Sequence, residues 1–225
     1  TEERMLTVVR NKAQRYFIIS GLLFLLFALF TVFVSCFDVQ SLGPKQSMVG
    51  LATINQYMFQ LIGVHLTWYH ITDWLGVVAI LFALMFAVIG LYQLIKRKDI
   101  RKVDMHIIVL GLFYALVIAF YIFFELVIVN YRPIILENSL EASYPSSHTM
   151  IVTCIMATVG TQLYFIYPDK NKLCFLINTI AALLIAITVF GRLVSGVHWF
   201  TDIVGGLLLS ASLVCLYYAV IEHIK

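Results

Sequence analysis

Five residues at the mouth of an apolar run, Tyr144-Pro145-Ser146-Ser147-His148, have the types that chemistry needs. Pro145 and the two serines read as a helix start, because proline is tolerated in a first turn and a serine can accept from the orphan N–H groups there. Those N–H groups and the positive end of the helix dipole favour an anion. A histidine beside them can give or take a proton near neutral pH. The same residues could be no more than a capped helix. Their weight comes from Arg132, Arg192, His198 and Asp202. Asp202 follows His198 by four residues, which puts both on one helical face. A carboxylate so placed can hold an imidazole in one tautomer and stabilise its charged form, as the third member of a nucleophile–base–orienter set does. The bland readings are a structural pair or two ligands of a metal for His198 and Asp202, and snorkelling anchors for the arginines. Two arginines next to two histidines disfavour a cation. They suit a phosphate-like anion, whose oxygens match guanidinium forks.

The elements that must position these residues are membrane spans. The chain has 225 residues, 62% hydrophobic and 12% charged, with a net charge of +3. That composition excludes a soluble globular chain, and runs long enough to cross a bilayer recur along it. The expectation is an all-α, polytopic membrane protein with six transmembrane helices, near 16–37, 72–95, 105–131, 147–167, 173–192 and 199–222. Residues 1–225 form one domain in this reading, with no repeat and no separate soluble part. The first run is expected to be a retained span, since it lacks a small-residue cleavage site at a sensible distance. Between spans one and two, Leu51, Ile54, Met58, Leu61 and Ile62 recur at helical spacing opposite Thr53, Asn55, Gln56 and Gln60. Residues 48–62 therefore read as a short amphipathic helix lying at the interface. The four cysteines lie in apolar segments without paired spacing and read as packing residues.

Orientation follows from Lys and Arg. Arg4, Arg10, Lys12 and Arg15, the five cations at 96–102, Lys170, Lys172 and Lys225 all fall on one side of a six-span layout. The positive-inside rule makes that side, with both termini, cytoplasmic. Residues 132–147 and 193–198 then face outward, and Trp68, Trp74 and Trp199 read as an outer aromatic belt. Arg132, His148, Arg192, His198 and Asp202 fall near one level at that outer boundary, where unpaired ionisable groups are costly.

The spacing resembles the type-2 phosphatidic acid phosphatase (lipid phosphate phosphatase) family. Its motifs Lys-x6-Arg-Pro, Pro-Ser-Gly-His and Ser-Arg-x5-His-x3-Asp correspond here to Arg132-Pro133, to Pro145-Ser146-Ser147-His148, and to Arg192, His198 and Asp202. Three positions depart. Glu125 stands at the motif's lysine, Ser147 at its glycine and Gly191 at its leading serine. Ser147 can still present a backbone N–H. Glu125 replaces a cation with an anion about two helical turns below Arg132. The expectation is that it pairs with Arg132 or Arg192 and positions the guanidinium; the rival is that it makes the pocket less positive and shifts headgroup preference.

The resemblance implies a membrane lipid phosphatase acting without a metal or other cofactor. His198 would attack phosphorus and form a phosphohistidine, with Asp202 orienting it. His148 would protonate the leaving lipid oxygen and then activate water. Arg132, Arg192 and the backbone N–H groups of Ser146 and Ser147 would hold the phosphoryl oxygens. The partners implied are the bilayer and a lipid phosphate or diphosphate within it, such as a polyprenyl diphosphate, phosphatidylglycerol phosphate or phosphatidic acid; nucleic acid is not expected. The short loops and basic inner face lean toward a bacterial cell membrane. Two rivals stand: a phosphotransferase on the same scaffold, and a non-catalytic lipid transporter or scaffold.

Overall fold

The computed structural model describes residues 2–136 and 138–224, with side chains from residue 11 onward. Arg4, Arg10 and Lys225 of the basic tally lie outside the described side chains. Among the described residues seven α-helices follow one another: α1 (Glu2–Cys36), α2 (Ala52–Ile62), α3 (Leu66–Arg97), α4 (Met105–Leu126), α5 (Ser147–Ile166), α6 (Asn171–Ser195) and α7 (Phe200–Ile224). All but α2 are long and apolar enough to cross a membrane, α1 from Asn11 onward. They alternate in direction. The end of α1, the start of α3, the end of α4, the start of α5, the end of α6 and the start of α7 therefore share one end of the bundle.

Sequence decides which helices are central. In α5 and α7 half or more of the span is buried inside the protein, whereas α1, α3, α4 and α6 bury far less. The buried face of α5 carries Thr149, Thr158, Gly160 and Gln162, which would be costly against lipid. Polar and small residues also join helices, as expected where lipid removes the hydrophobic drive for association. Ser20 Oγ donates to Ser212 O and Ser212 Oγ to Ser20 O, both at 2.9 Å, clasping α1 to α7. Phe27, Phe124 and Tyr144 pack ring on ring above that clasp, and the Tyr144 hydroxyl lies 2.8 Å from Thr31 Oγ1.

Three expectations shift. Span two begins at Leu66 rather than 72. Span three stops at Leu126, five residues short of 131. The β-branched run Val127-Ile128-Val129 disfavours further helix, and Pro133 forces Arg132 into extended backbone. The chain there forms a small hairpin instead, with Tyr131 bridged to Ala142, Arg132 N donating to Glu141 O (3.1 Å) and Ser143 N to Asn130 O (2.9 Å). Arg132 thus sits on a hairpin, not on the helical face of Glu125. Trp199 is not a belt residue. It is buried, packs on Phe59 and donates its indole N–H to Tyr131 O, 2.8 Å away. Trp74 is 71% exposed. Among the described cysteines all are free, with Cys154 and Cys174 buried and Cys36 exposed.

The short helix α2 is present and turned unexpectedly. Asn55, assigned to its polar face, is fully buried, while Ile54, Tyr57 and Leu61 are exposed. Asp38 fixes its start, accepting from Thr53 N at 2.7 Å. That bond and one from Gln40 hold the Asp38 carboxyl below the usual range.

Candidate active site

Four helix ends and the hairpin converge on one cluster. His198 follows Gly196, the left-handed cap of α6, and precedes α7. Its ring is buried, with Nδ1 3.1 Å from Ser143 Oγ and 3.2 Å from Ser143 O. Nε2 is buried and has no hydrogen-bond partner among the described residues. Burial holds the His198 imidazole well below its ordinary pKa, and Arg132, Arg192 and His148 push the same way.

Asp202, one turn into α7, is fully buried. It accepts from Trp199 N (2.8 Å), from Ser143 Oγ and from Asn130 Nδ2 (3.4 Å). Its Oδ2 is 3.8 Å from His198 Nδ1, so the expected direct orienting bond is not made. Asn130 Oδ1 in turn accepts from Gly50 N, and Asn55 of α2 bonds both Gly50 O and Thr201. The short helix is therefore wired to the first turn of α7.

Arg192 is fully buried, which excludes snorkelling. Its guanidinium lies over the Tyr69 ring at 5.0 Å and its Nη2 donates to Asp73 Oδ1. The same oxygen is 3.1 Å from His148 Nε2. Asp73 and His148 are each about a third exposed, so this bridge faces an open cleft. Nε and Nη1 of Arg192 have no partner. Arg132 Nε lies 2.8 Å from Glu141 Oε2, an ion pair whose N–H is not aimed along the contact, and Nη1 has no partner. Each guanidinium is thus anchored by one acid and keeps buried donors in hand. Unspent donors around a bare imidazole nitrogen are what a phosphoryl group requires.

The acids that anchor the arginines are Asp73 and Glu141, not Glu125. Glu125 is exposed near the end of α4 and borders a small recess with Ser143, Tyr144 and Ser147. The pairing expected of it is replaced because α4 ends before it could carry Arg132 above Glu125. Ser146 also departs from expectation. Its N–H donates to Asp202 O at 2.9 Å and its hydroxyl accepts from Thr149 N at 3.5 Å, so it caps α5 and ties it to α7. The phosphate-holding N–H assigned to it is already spent. Ser147 is the first residue of α5 and half-buried.

Asp73 is an acid near the start of an apolar helix, where an ionisable group is costly unless paired, and its partners come from α5 and α6, far away in the chain. Gly191 explains how it reaches Arg192. A Cβ on Gly191 would lie 2.5 Å from Thr72 Cγ2 and 3.0 Å from Trp68 Cε3. The bare backbone of α6 lets α3 approach, which carries Asp73 onto the neighbouring guanidinium. Gly76, one turn on, leaves room for His148, whose Cδ2 would be 3.1 Å from a Cβ there. Among the described residues no group of three or more His, Cys, Asp or Glu is gathered as a metal site would need.

The PAP2 superfamily model matches residues 129–224, the segment that carries Arg132, His148, Arg192, His198 and Asp202 but not Glu125. The chain is 30% identical over 92 residues to a lipid phosphate phosphatase delta of Arabidopsis thaliana, covering 39% of this chain and 21% of that protein. It is 29% identical over 96 residues to a phosphatidylglycerophosphatase B of Bacillus subtilis (strain 168), covering 43% of this chain and 46% of that one. The chain thus spans less than half the length of either curated relative. It also superposes on the crystal structure of a transmembrane PAP2 type phosphatidylglycerolphosphate phosphatase from Bacillus subtilis with a TM-score of 0.60 and 20% identity. That match covers 92% of this chain and 97% of the other, and the two share their fold.

Proposed function

We propose that the chain, whose residues 129–224 match the PAP2 superfamily model, is a membrane lipid phosphatase of that superfamily working through a phosphohistidine at His198. The observation that carries this is the bare, buried Nε2 of His198 among unspent guanidinium donors. The Nε2 lone pair attacks phosphorus, the P–O bond to the lipid breaks, and His148 gives its proton to the departing oxygen. Water then attacks the phosphohistidine, His148 takes the water's proton, and His198 leaves with its lone pair restored. Arg132 and Arg192 carry the charge of the equatorial oxygens. Little beyond such positioning and charge stabilisation is asked of a protein in phosphoryl transfer.

The substrate is a lipid phosphate with its headgroup at membrane level. Phosphatidylglycerol phosphate heads the panel, with phosphatidic acid and polyprenyl diphosphate beside it, because one relative is named a phosphatidylglycerophosphatase and another a lipid phosphate phosphatase. The active site faces the extracytoplasmic side, α2 lies at the outer interface, and the reaction needs no metal. The cations of the 96–102 turn and of 170–172, at the end of the bundle remote from the site, support that orientation.

The test is phosphate release from these lipids in detergent with a chelator present, combined with rapid trapping of labelled protein in alkaline denaturant. A base-stable, acid-labile phosphoprotein that vanishes in His198→Gln is expected. Undiminished release by His198→Ala, or dependence on added divalent metal, would overturn the reading.

A further inference from the structure

Ser143 belongs to no motif, and the mechanism above does not use it. It nonetheless stands between the two residues expected to touch. Its hydroxyl donates to Asp202 Oδ2 and lies 3.1 Å from His198 Nδ1. The imidazole and the carboxylate themselves are 3.8 Å apart. We infer that Ser143 is a positioning residue that relays Asp202 to His198 and fixes the tautomer in which Nε2 is free to attack.

Protons set the direction of each contact. A serine hydroxyl has one hydrogen and two lone pairs. Asp202 as a carboxylate can only accept, so that hydrogen goes to Oδ2. The contact with His198 must then run the other way, with Nδ1–H donating to Ser143 Oγ. The second neighbour of Nδ1 agrees, because Ser143 O at 3.2 Å is a carbonyl and can only accept. Both contacts put the ring proton on Nδ1. Nε2, buried and without a partner, is left with its lone pair. Among the described residues Nδ1 of His198 has no other hydrogen-bond partner. Asp202 spends its remaining capacity on Trp199 N and Asn130 Nδ2.

The relay is itself braced. Ser143 N donates to Asn130 O at 2.9 Å, and Asn130 Nδ2 reaches Asp202 Oδ1 at 3.4 Å. One residue of the hairpin therefore sets both ends of the serine's bridge. Ser143 and Asn130 are 2% and 1% exposed, so water does not substitute for the hydroxyl. When Nε2 bonds phosphorus, the ring becomes cationic and Nδ1–H becomes a stronger donor. Ser143 passes that demand to Asp202 by polarisation. No proton crosses the relay, and the leaving oxygen's proton still comes from His148. The charge is felt from the other side by Arg132, Arg192 and His148.

This inference rests on His198 being the nucleophile, and the test separates the two. His198→Ala must abolish turnover; if it does not, the function proposed above fails first. Given that, Ser143→Ala is expected to lower kcat about 10- to 100-fold, the cost of a lost hydrogen bond to a charged group, with KM within about threefold. The acidic limb of its kcat/KM profile moves to lower pH, since the imidazolium loses anionic support. Ser143→Ala combined with Asp202→Asn costs no more than the worse single change, as members of one chain do. Multiplying effects, or a Ser143→Ala protein within twofold of the parent, overturn the relay. A measurement needing no relay variant stands beside these. In ¹⁵N-histidine-labelled protein, with His198 assigned by its loss in His198→Gln, Nδ1 is expected protonated and Nε2 bare. A resting ring protonated at Nε2 overturns the inference.

Discussion

One carboxylate serves two side chains when Asp73 meets Arg192 and His148 on the same oxygen. It holds the guanidinium by Nη2, leaving Nε and Nη1 buried without a partner among the described residues, and it meets the His148 ring at Nε2. Asp73→Asn keeps the shape and removes the charge. The expected result is a fall in kcat of about tenfold to a hundredfold, the scale of a charged hydrogen bond, measured as phosphate release with folding checked by thermal melting. Unchanged kcat would assign Asp73 to packing alone. His198 makes a second prediction. As the proposed nucleophile it must be unprotonated. Burial and the arginines lower its pKa, so the neutral form persists to lower pH than for an ordinary histidine. The acidic limb of kcat/KM, which reports the free enzyme, should lie below the ordinary histidine value of about 6.5. An acidic limb above that value would contradict the burial seen here. At this scale the sequence was readable where spacing is fixed by a helix or a short turn. His198, Asp202, His148 and Arg192 qualify. It was not readable at Asp73, Glu141, Asn130 and Ser143, which join the cluster only through tertiary contact between segments far apart in the chain.

At the scale of elements, close approach of helices makes the site, and Gly191 is where α3 comes nearest to α6. Gly191→Ser installs the residue that the family motif carries. Here it has no room, because Thr72 and Trp68 already fill the space. Overpacking of this kind costs about 1–3 kcal/mol. The expected outcome is a lower melting temperature together with lower kcat, as α3 moves and draws Asp73 off Arg192; a gain in activity would show that the hydroxyl matters more than the approach. The wiring of α2 gives another test. Asn55→Ala leaves Thr201 N without its acceptor, 3.1 Å away, and breaks two further bonds. A buried donor left unpaired costs about 1–3 kcal/mol, so thermal stability is expected to drop and turnover with it, although Asn55 touches no reacting group. Six spans could be read from apolar length alone. The end of α4 was harder to place, since Val127-Ile128-Val129 is as apolar as the helix before it, and β-branching there, Pro133 and the pairing of 131 with 142 together decide against helix.

For the whole molecule, alternating helix directions put every site residue at one end and the 96–102 cations at the other. The proposed sidedness can be checked in intact cells. In a Cys36→Ser background, Lys45→Cys on the exposed turn before α2 should react with an impermeant thiol reagent, and Lys98→Cys should react only after lysis. The reverse pattern would move the site to the cytoplasmic face and leave the chemistry untouched. The central burial of α5 and α7 also sets what the bundle tolerates. Substitutions on the lipid-facing side of α1 or α6 should leave phosphate release nearly unaltered, whereas their equivalents on α7 reach Asp202 through the helix itself. The acid-to-arginine matching has an effect on turnover cycles. With Arg192 balanced by Asp73 and Arg132 by Glu141, free orthophosphate gains little from settling there once its lipid has gone. Product should drain from the cleft between cycles, and millimolar orthophosphate in the surroundings should compete poorly with a substrate that the bilayer itself delivers.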